Sequence, residues 1–583
     1  MTGKGADAAA RLAGYILVCA FFGLAASNNG IRVTFHGELT TSSRGELNFW
    51  LGQVLLLCPG MLLIGYGAGA RLQPLLRRVG ERAGSMTASE RRTALLALTL
   101  VGLAAARIGR SLFLLDLPIT DDELAVEFGG RVLASGHVMA HLPLPPETIP
   151  SLFLLVRDGA VGSFDWPGGQ ILAAAAALTR LGPLLWAMIA VVPVAAVAVT
   201  VGRRLGAQWG LVAALIFLCS PMAALLSMTT HAQLASRAFF SLALMAFSFA
   251  DVDGRPGQWA ATGALVGATF LCRPLETAFL SAPIAVWIVF QAVRGTPGYR
   301  AGMMAAAAGF LPAVLVFAAH SYAMTGNPFL PARFASPEHV DVVARSLWAR
   351  FGDNFSYNVL MLAIWFLGPI GLILVAAGAG SDRLTRIACA TVLSGLALTM
   401  FHDNAGLHIV GPIHYSECAA PLAIVAAFGF RNILLFFSGA ARARLAGALA
   451  VAIGVGMPIV TVMQGLALRQ QAQVQRILYA AVEKNVREPG SPRAVVLAPW
   501  LFTIVNAYPD LGAVGTWVHD WRRPQLDLSD DVLYLRDVPR AEPELRRLFP
   551  DRRFYRLQPM REPPYVVVVP LDGGSPRPLI TES

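Results

Sequence analysis

The sequence predicts a mainly α-helical, polytopic membrane protein with about 12–13 transmembrane helices, followed by a small extracytoplasmic α/β domain. Of its 583 residues, 55% are hydrophobic and 14% are charged, and the mean hydropathy is +0.57. Apolar stretches of about 20 residues, the length that crosses a bilayer, recur as far as residue 464. Beyond that point, β-rich runs at 494–498, 532–535 and 565–570 are typical of a soluble α/β fold.

These patterns divide the chain into three regions. Residues 1–92 form a transmembrane hairpin and a cytoplasmic loop, 93–464 form the main transmembrane domain, and 465–583 form the soluble domain. The first apolar stretch, 12–27, is interpreted as a retained anchor and not a signal peptide, because 49–70 follows closely as its hairpin partner. The outer loops of the main domain are predicted at 116–166, 325–356 and 402–414.

Arginine placement sets the predicted orientation. The connection 71–92 carries six arginines against two glutamates, which marks it as cytoplasmic. The stretch 93–115 therefore runs outward, and the loop 116–166, with eight acidic residues and two basic ones, lies outside. Because the net charge of +10 has this explanation, nucleic-acid binding is not expected.

The number of apolar stretches between 168 and 324 does not agree with this orientation. Seven apolar stretches cannot connect two loops on the same side of the membrane. Either 168–181 is only half a span, or 258–292 is wrongly split at Arg273-Pro274. The sequence leaves both alternatives open.

Three acids, Asp121, Asp122 and Glu123, follow the outward span directly. Arg107 and Arg110 lie three residues apart near the outer end of that span, and arginines at such a depth need partners. Carboxylates beside guanidinium groups suit a reaction in which a hydroxyl loses its proton while an anionic group departs. The acids are therefore candidate catalytic residues, and the two arginines are candidate substrate-binding residues.

The same acids have a plainer interpretation. Thr120 with acids behind it is the pattern of a capped helix N-terminus. The helical pattern 123–135 places Leu124, Phe128 and Val132 on one face, which is consistent with a helix lying along the membrane interface.

Arg273 interrupts an apolar stretch, and two interpretations stay open. It pairs with Glu276 in an ordinary loop, or it contacts a lipid phosphate, since arginine offers paired donors to phosphate oxygens. His414 and Tyr415, in a polar segment before a late span, are further candidates for a substrate pocket. The spacing of His402, His408 and His414 matches no standard metal motif, so no cofactor is predicted, and a divalent metal is an alternative without support.

Four features recur in the order that is found in a known family. They are the acidic pair after an early span, the run Ser163-Phe164-Asp165-Trp166-Pro167-Gly168-Gly169-Gln170, the pair Arg273-Pro274 and the run Gly411-Pro412-Ile413-His414-Tyr415. From about 93 to 437 the chain resembles bacterial C-type (GT-C) membrane glycosyltransferases. It is similar to protein O-mannosyltransferases and to the aminoarabinose transferase that modifies lipid A.

The resemblance implies a GT-C-like catalytic domain in a bacterial inner membrane, with its active site outside. The donor would be a polyprenyl-phosphate-linked sugar, the acceptor a glycan, lipid or protein, and transfer would invert the anomeric centre. The family's outer-loop base would be Asp122, with Glu123 beside it and Asp121 as competitor. Two departures are present: a hairpin precedes the family's first helix, and Ile413-His414 stands where relatives often have arginine.

Two other classes of function were weighed. A lipid or glycan transporter would place charged residues near the bilayer midplane on broken helices, often in repeats. Here the charges lie at the outer boundary and no repeat is visible. A non-catalytic envelope-assembly protein would bind its partner through the C-terminal domain, and the acids would then have no role. The boundary position of the charges favours an enzyme.

Overall fold

The computed structural model describes residues 3–27, 50–150, 153–335, 347–400, 411–487, 493–499, 521–560 and 566–579. Within these ranges, ten helical stretches are long and apolar enough to cross a membrane. The predicted fold class, a multi-pass helical protein with a small C-terminal sheet domain, is confirmed.

The helices of the first half are α1 (Gly3–Ser27), α2 (Cys58–Ser85), α3 (Ala88–Phe113), α4 (Asp121–Ala134), α5 (Pro167–Leu178), α6 (Pro183–Leu205), α7 (Ala207–Cys219), α8 (Pro221–Leu226), α9 (Ala232–Asp253) and α10 (Pro256–Cys272). Those of the second half are α11 (Pro274–Val293), α12 (Tyr299–Thr325), α13 (Ala332–Ala335), α14 (Leu347–Gly378), α15 (Arg383–Thr399), α16 (Ala419–Phe436), α17 (Gly439–Val451), α18 (Met457–Val486) and α19 (Glu542–Leu548). A 3₁₀ turn, Ile413–Cys418, leads into α16.

The strands form two sheets. A three-stranded sheet of order β1-β3-β2 lies between α4 and α5 in the chain, with β1 (Ala140–His141), β2 (Leu154–Arg157) and β3 (Ala160–Ser163). The C-terminal sheet has the order β5-β4-β6-β7-β8. Its strands are β4 (Ala494–Ala498), β5 (Val532–Arg536), β6 (Arg553–Pro559), β7 (Val566–Pro570) and β8 (Arg577–Pro578). Strand β4 pairs in parallel with β5 and β6, whereas β6, β7 and β8 are antiparallel.

The short helix α5 resolves the odd number of apolar stretches between the two outer loops. Helix α6 ends beside the last residues of α9, where Arg203 pairs with Asp253. Helix α9 begins at the other end of the bundle, beside Thr120. The two helices therefore run in the same direction and both start at the end that carries the acids. With 12 residues, α5 stays at that end, so the first of the two predicted alternatives holds.

The split at Arg273 is present in the structure, since α10 ends at Cys272 and α11 begins at Pro274. Three shorter helices, α7, α10 and α15, also run between the two ends of the bundle. The described residues thus hold ten long candidate spans, fewer than the about 12–13 transmembrane helices that the sequence predicts.

Two predicted boundaries fall inside helices. The connection 71–92 is almost entirely helical, because Arg, Leu and Glu are good helix formers. Helix α18 likewise continues from the last apolar span through residue 464 to Val486. The helix becomes polar half-way along while its backbone stays helical. The domain boundary predicted at residue 464 reflects this change in composition.

Helix α4 is enclosed by protein. Its stripe Leu124, Phe128 and Val132 is buried, with exposed fractions of 4%, 0% and 0%. Phe128 and Val132 join a hydrophobic cluster with β4 and β5, and Leu124 joins another with α18. The predicted shared face exists, but the C-terminal sheet covers it where the membrane interface was expected.

The opposite side of α4 packs on α5 through glycine. A Cβ atom on Gly130 would lie 2.4 Å from the Cβ atom of Ala173, so no larger residue fits there. Helix α4 is therefore held between the membrane bundle and the C-terminal sheet.

Candidate functional site

The N-terminus of α4 is capped as its sequence predicts. The Thr120 hydroxyl accepts a hydrogen bond from the Glu123 amide at 3.3 Å and lies 3.0 Å from His231 Nε2, just before α9. Acids in the first helical turn are stabilised by the helix dipole. The acids therefore do lie in the first turn of a capped helix, as the plainer interpretation predicts. This cap accounts for only part of their geometry.

Glu123 is fully engaged by hydrogen-bond donors. Its carboxylate accepts the Ile119 amide at 2.9 Å, and the Thr230 amide and hydroxyl at 2.8 and 2.9 Å. Arg110 lies 3.4 Å away. Burial disfavours the charged form, but His231, Arg110 and these backbone donors outweigh it and hold the pKa of Glu123 below its usual value. The Glu123 carboxylate is thus stabilised in its ionised form, and its contacts connect α3, the start of α4 and the segment before α9.

Asp122 has a different environment. It is half-buried and, among the described residues, takes part in no hydrogen bond. Burial, together with the charge of Asp121, raises the pKa of Asp122, although His231, Arg333 and Arg273 act against the shift. Asp121 is buried, with 2% exposed. Asp122 is thus the partly exposed member of the three acids, and its pKa is raised.

Asp165 is a site residue that the sequence analysis did not select. Burial, followed by the charge of Asp122, raises the pKa of Asp165 to about 6. Two carboxylates therefore lie near enough for their charges to interact. Gln170 Nε2 fixes this turn by donating to the carbonyl groups of Ser163 and Asp165, at 3.1 and 2.5 Å. The available signal was the run 163–170, which contributed to the family resemblance without a role being assigned to Asp165.

Arg333, in the short helix α13, was also missed. Its guanidinium lies over the rings of Phe164 and Trp166, 5.9 and 6.0 Å from their centroids. Its charge favours the ionised forms of Asp122 and Asp165. Within the described part of the chain it forms no hydrogen bond, and no carboxylate lies within 4 Å of it. Nothing in its local sequence marks it out, because tertiary structure brings it to the acids.

The two predicted arginines of α3 both lie near Asp116, with Arg110 Nε 4.0 Å from its carboxylate, but their main partners differ. Arg107 pairs with Asp116 at 2.7 Å and contacts Ser111, and its side chain is 41% exposed. Arg110 is buried, pairs with Glu123 and donates to the Met228 carbonyl at 3.0 Å. Of these two, only Arg110 contacts the acidic cluster.

Arg273 lies in a saturated network at the same end of the bundle. It pairs with Glu276 and with Glu417, the latter at 3.4 Å, and lies 2.9 Å from His414 Nδ1. The pairing of Arg273 with Glu276, one of the two interpretations left open by the sequence, is thus observed. Tyr415 is 1% exposed and belongs to the hydrophobic core.

The described residues contain no group of three or more His, Cys, Asp or Glu side chains arranged to hold a metal ion. His402 and His408, considered with His414 for this role, lie outside the described ranges.

One family model matches part of the chain. The family model for dolichyl-phosphate-mannose-protein mannosyltransferases matches residues 179–322, about a quarter of the chain. The predicted resemblance to C-type membrane glycosyltransferases is thereby confirmed. No curated protein matches the sequence at a significant level.

Solved structures of similar fold include three proteins. ArnT from Cupriavidus metallidurans bound to undecaprenyl phosphate is 14% identical over 81% of this chain and 93% of its own, with a TM-score of 0.49. The Archaeoglobus fulgidus oligosaccharyltransferase tethered with an acceptor peptide is 12% identical over 81% and 69%, with a TM-score of 0.45. The mycobacterial arabinofuranosyltransferase AftD is 16% identical over 78% and 32%, with a TM-score of 0.45.

Replacing Glu123 by Gln should destabilise the fold by about 3 kcal/mol, because the buried Arg110 guanidinium loses its nearer carboxylate and keeps only that of Asp116, 4.0 Å away. Thermal unfolding of the purified protein measures this. The control is Asp116→Asn, which breaks the more exposed pair with Arg107 and should cost less than about 1 kcal/mol. Equal losses in the two variants would contradict the role given to Glu123.

Proposed function

We propose that this protein transfers a sugar from a polyprenyl-phosphate donor to a hydroxyl group of an extracytoplasmic acceptor, with Asp122 as the base. The observation that carries the proposal is the half-buried carboxylate of Asp122, which accepts no hydrogen bond from the described residues and lies near Asp165 and Arg333 at one end of a membrane bundle. The match to a family of lipid-phosphate-sugar transferases supports this donor class.

The choice of Asp122 follows from what its neighbours do. Glu123 is committed to four donors and has a lowered pKa, so it is a poor proton acceptor. An effective base has a pKa near the working pH. Burial moves the pKa of Asp122 upward, in that direction, and no hydrogen bond from the described residues engages its carboxylate.

Arg333 is the cation proposed to hold the donor phosphate. Arg107, Arg110 and Arg273 are each paired with a carboxylate. Among the described residues, the Arg333 guanidinium lies over two aromatic rings and forms no ion pair, and a guanidinium matches phosphate oxygens well.

The proposed reaction is a single displacement. The acceptor oxygen bonds to the anomeric carbon as the bond from that carbon to the phosphate oxygen breaks. The hydroxyl proton passes to Asp122, and the negative charge of the departing lipid phosphate is stabilised by Arg333. Phosphate is already a good leaving group, so no general acid is required. A single displacement inverts the anomeric centre.

Asp165 and Asp122 would titrate as a coupled pair. With a pKa of about 6, Asp165 is available in either protonation state near neutral pH. In its neutral form it offers a hydrogen bond to a sugar or acceptor hydroxyl. We place the site on the outer face of a bacterial inner membrane, with a glycan, lipid or protein as acceptor.

Asp122→Asn should lower sugar transfer by about 10²-fold or more, since a positioned base contributes about 10²–10⁴ in rate. The readout is the glycan composition of the envelope, by mass spectrometry, in cells whose only copy of the gene is the variant. Glu127→Gln, on the exposed side of α4, is the control and should retain transfer. Wild-type transfer by folded Asp122→Asn protein would contradict the assignment.

Arg333→Ala should weaken binding of undecaprenyl phosphate, the lipid in the ArnT comparison, by about tenfold or more, because charge-assisted hydrogen bonds contribute about 1.5–3 kcal/mol. Binding is measured on protein in lipid nanodiscs. Arg107→Ala is the matched comparison and should bind normally, since Arg107 is occupied by Asp116. A larger loss for Arg107→Ala would place the phosphate elsewhere.

Transfer should fall as the pH drops into the acid range, because the base must be ionised and burial raises the pKa of Asp122 above its usual value. In Asp165→Asn a neighbouring negative charge is lost, which favours ionisation of Asp122. The acid limb of the remaining activity should therefore move to lower pH. Initial rates from pH 4.5 to 8 test this, and a limb that stays in place would rule out coupling between the two acids.

A further inference from the structure

Arg237 is a buried cation that the proposed reaction does not use. It lies in α9, one of the membrane-spanning candidates, and is 0% exposed. No carboxylate lies within 4 Å of it in the described ranges. Its Nη1 donates to the Ala223 carbonyl at 3.2 Å, its Nη2 donates to the Ser227 hydroxyl at 2.9 Å, and its plane lies 5.5 Å from the Phe217 ring centroid. Burying a guanidinium inside a membrane bundle is expensive, so its retention needs a reason.

That reason lies in residues 227–231, which join α8 to α9 and are named here the cradle segment. Arg237 holds the first residue of the segment through the Ser227 hydroxyl. Arg110 holds the next residue through the Met228 carbonyl at 3.0 Å. Two buried arginines from different helices thus fix one end of the cradle segment.

The other end of the cradle segment contacts the acidic cluster. Thr230 donates its amide and its hydroxyl to Glu123, at 2.8 and 2.9 Å. His231 Nε2 lies 3.0 Å from the Thr120 hydroxyl that caps α4. The position of the first turn of α4, and of Asp122 within it, therefore depends on where the cradle segment lies.

We propose that Arg237 is a positioning residue for Asp122 that acts through the cradle segment. This inference rests on the proposed function. It explains what a cation does among apolar helices when no carboxylate of the described residues lies within 4 Å and Glu417 acts on it only from farther away: its donors organise the carbonyl and hydroxyl groups at the end of α8. A displacement of about 1 Å at a reacting group is enough to cost about 10²-fold in rate. Arg237 therefore contributes to the reaction without touching the substrate.

Arg237→Met should reduce sugar transfer per folded protein by about 10- to 100-fold while leaving the Kd for undecaprenyl phosphate within about twofold of wild type. Transfer is read from envelope glycan composition, folded protein from thermal unfolding, and binding from nanodisc titration. If Arg237→Met does not fold, Ser227→Ala removes the same contact more mildly and should show the same split.

A double-mutant cycle with Thr230→Val separates positioning from general stability. If both residues act through one segment, the double variant should be little worse than the more impaired single variant. Arg204→Met is the matched control: it removes a cation that pairs with Asp251 and Asp382 at the opposite end of the bundle. It should lower stability while retaining transfer per folded protein.

Normal transfer by folded Arg237→Met, or fully additive losses in the cycle, would overturn the inference while leaving Asp122 as the base. Normal transfer by Asp122→Asn would instead overturn the proposed function itself. The two failures are therefore distinguishable in one set of strains.

Discussion

The site depends on the buried carboxylate of Glu123. Helix α3 contributes Arg110 to it, the turn before α4 contributes the Ile119 amide, and the segment before α9 contributes both donors of Thr230. A buried carboxylate is tolerated when its charge is paired and its oxygens are hydrogen-bonded, and Glu123 meets both conditions. It therefore joins three elements that are far apart in sequence and fixes the direction in which α4 starts. Because Asp122 is adjacent to Glu123, its position is fixed by the same contacts.

Helix α4 is also restrained along its length. Its glycines allow close contact with α5 on one side, and its apolar stripe is buried by the C-terminal sheet on the other. The C-terminal domain thus forms one wall of the element that carries the acids. Two independent packing surfaces and one buried ion pair leave the first turn of α4 little freedom. This pre-organisation suits a base that acts on a hydroxyl group.

Local features of the site could be predicted from the sequence, and long-range ones could not. The acids, their cap at Thr120 and the stripe on α4 follow from residue types at helical spacing. The pairing of Arg110 with Glu123 follows the rule that buried charges need partners. Arg333 is more than 200 residues from the acids in the chain, and no local pattern connects the two. The burial of the α4 stripe by the C-terminal sheet was not predicted. Periodicity shows that a helix face is apolar but does not indicate which element packs against it.

The central claim is that a lipid phosphate held by Arg333 binds beside Asp122. A cryo-electron microscopy structure of the protein in nanodiscs with undecaprenyl phosphate tests it most directly. The account predicts phosphate density within hydrogen-bonding distance of the Arg333 guanidinium, on the side that faces Asp122 and Asp165. Phosphate density at Arg107 or at the opposite end of the bundle, with Arg333 unoccupied, would contradict it.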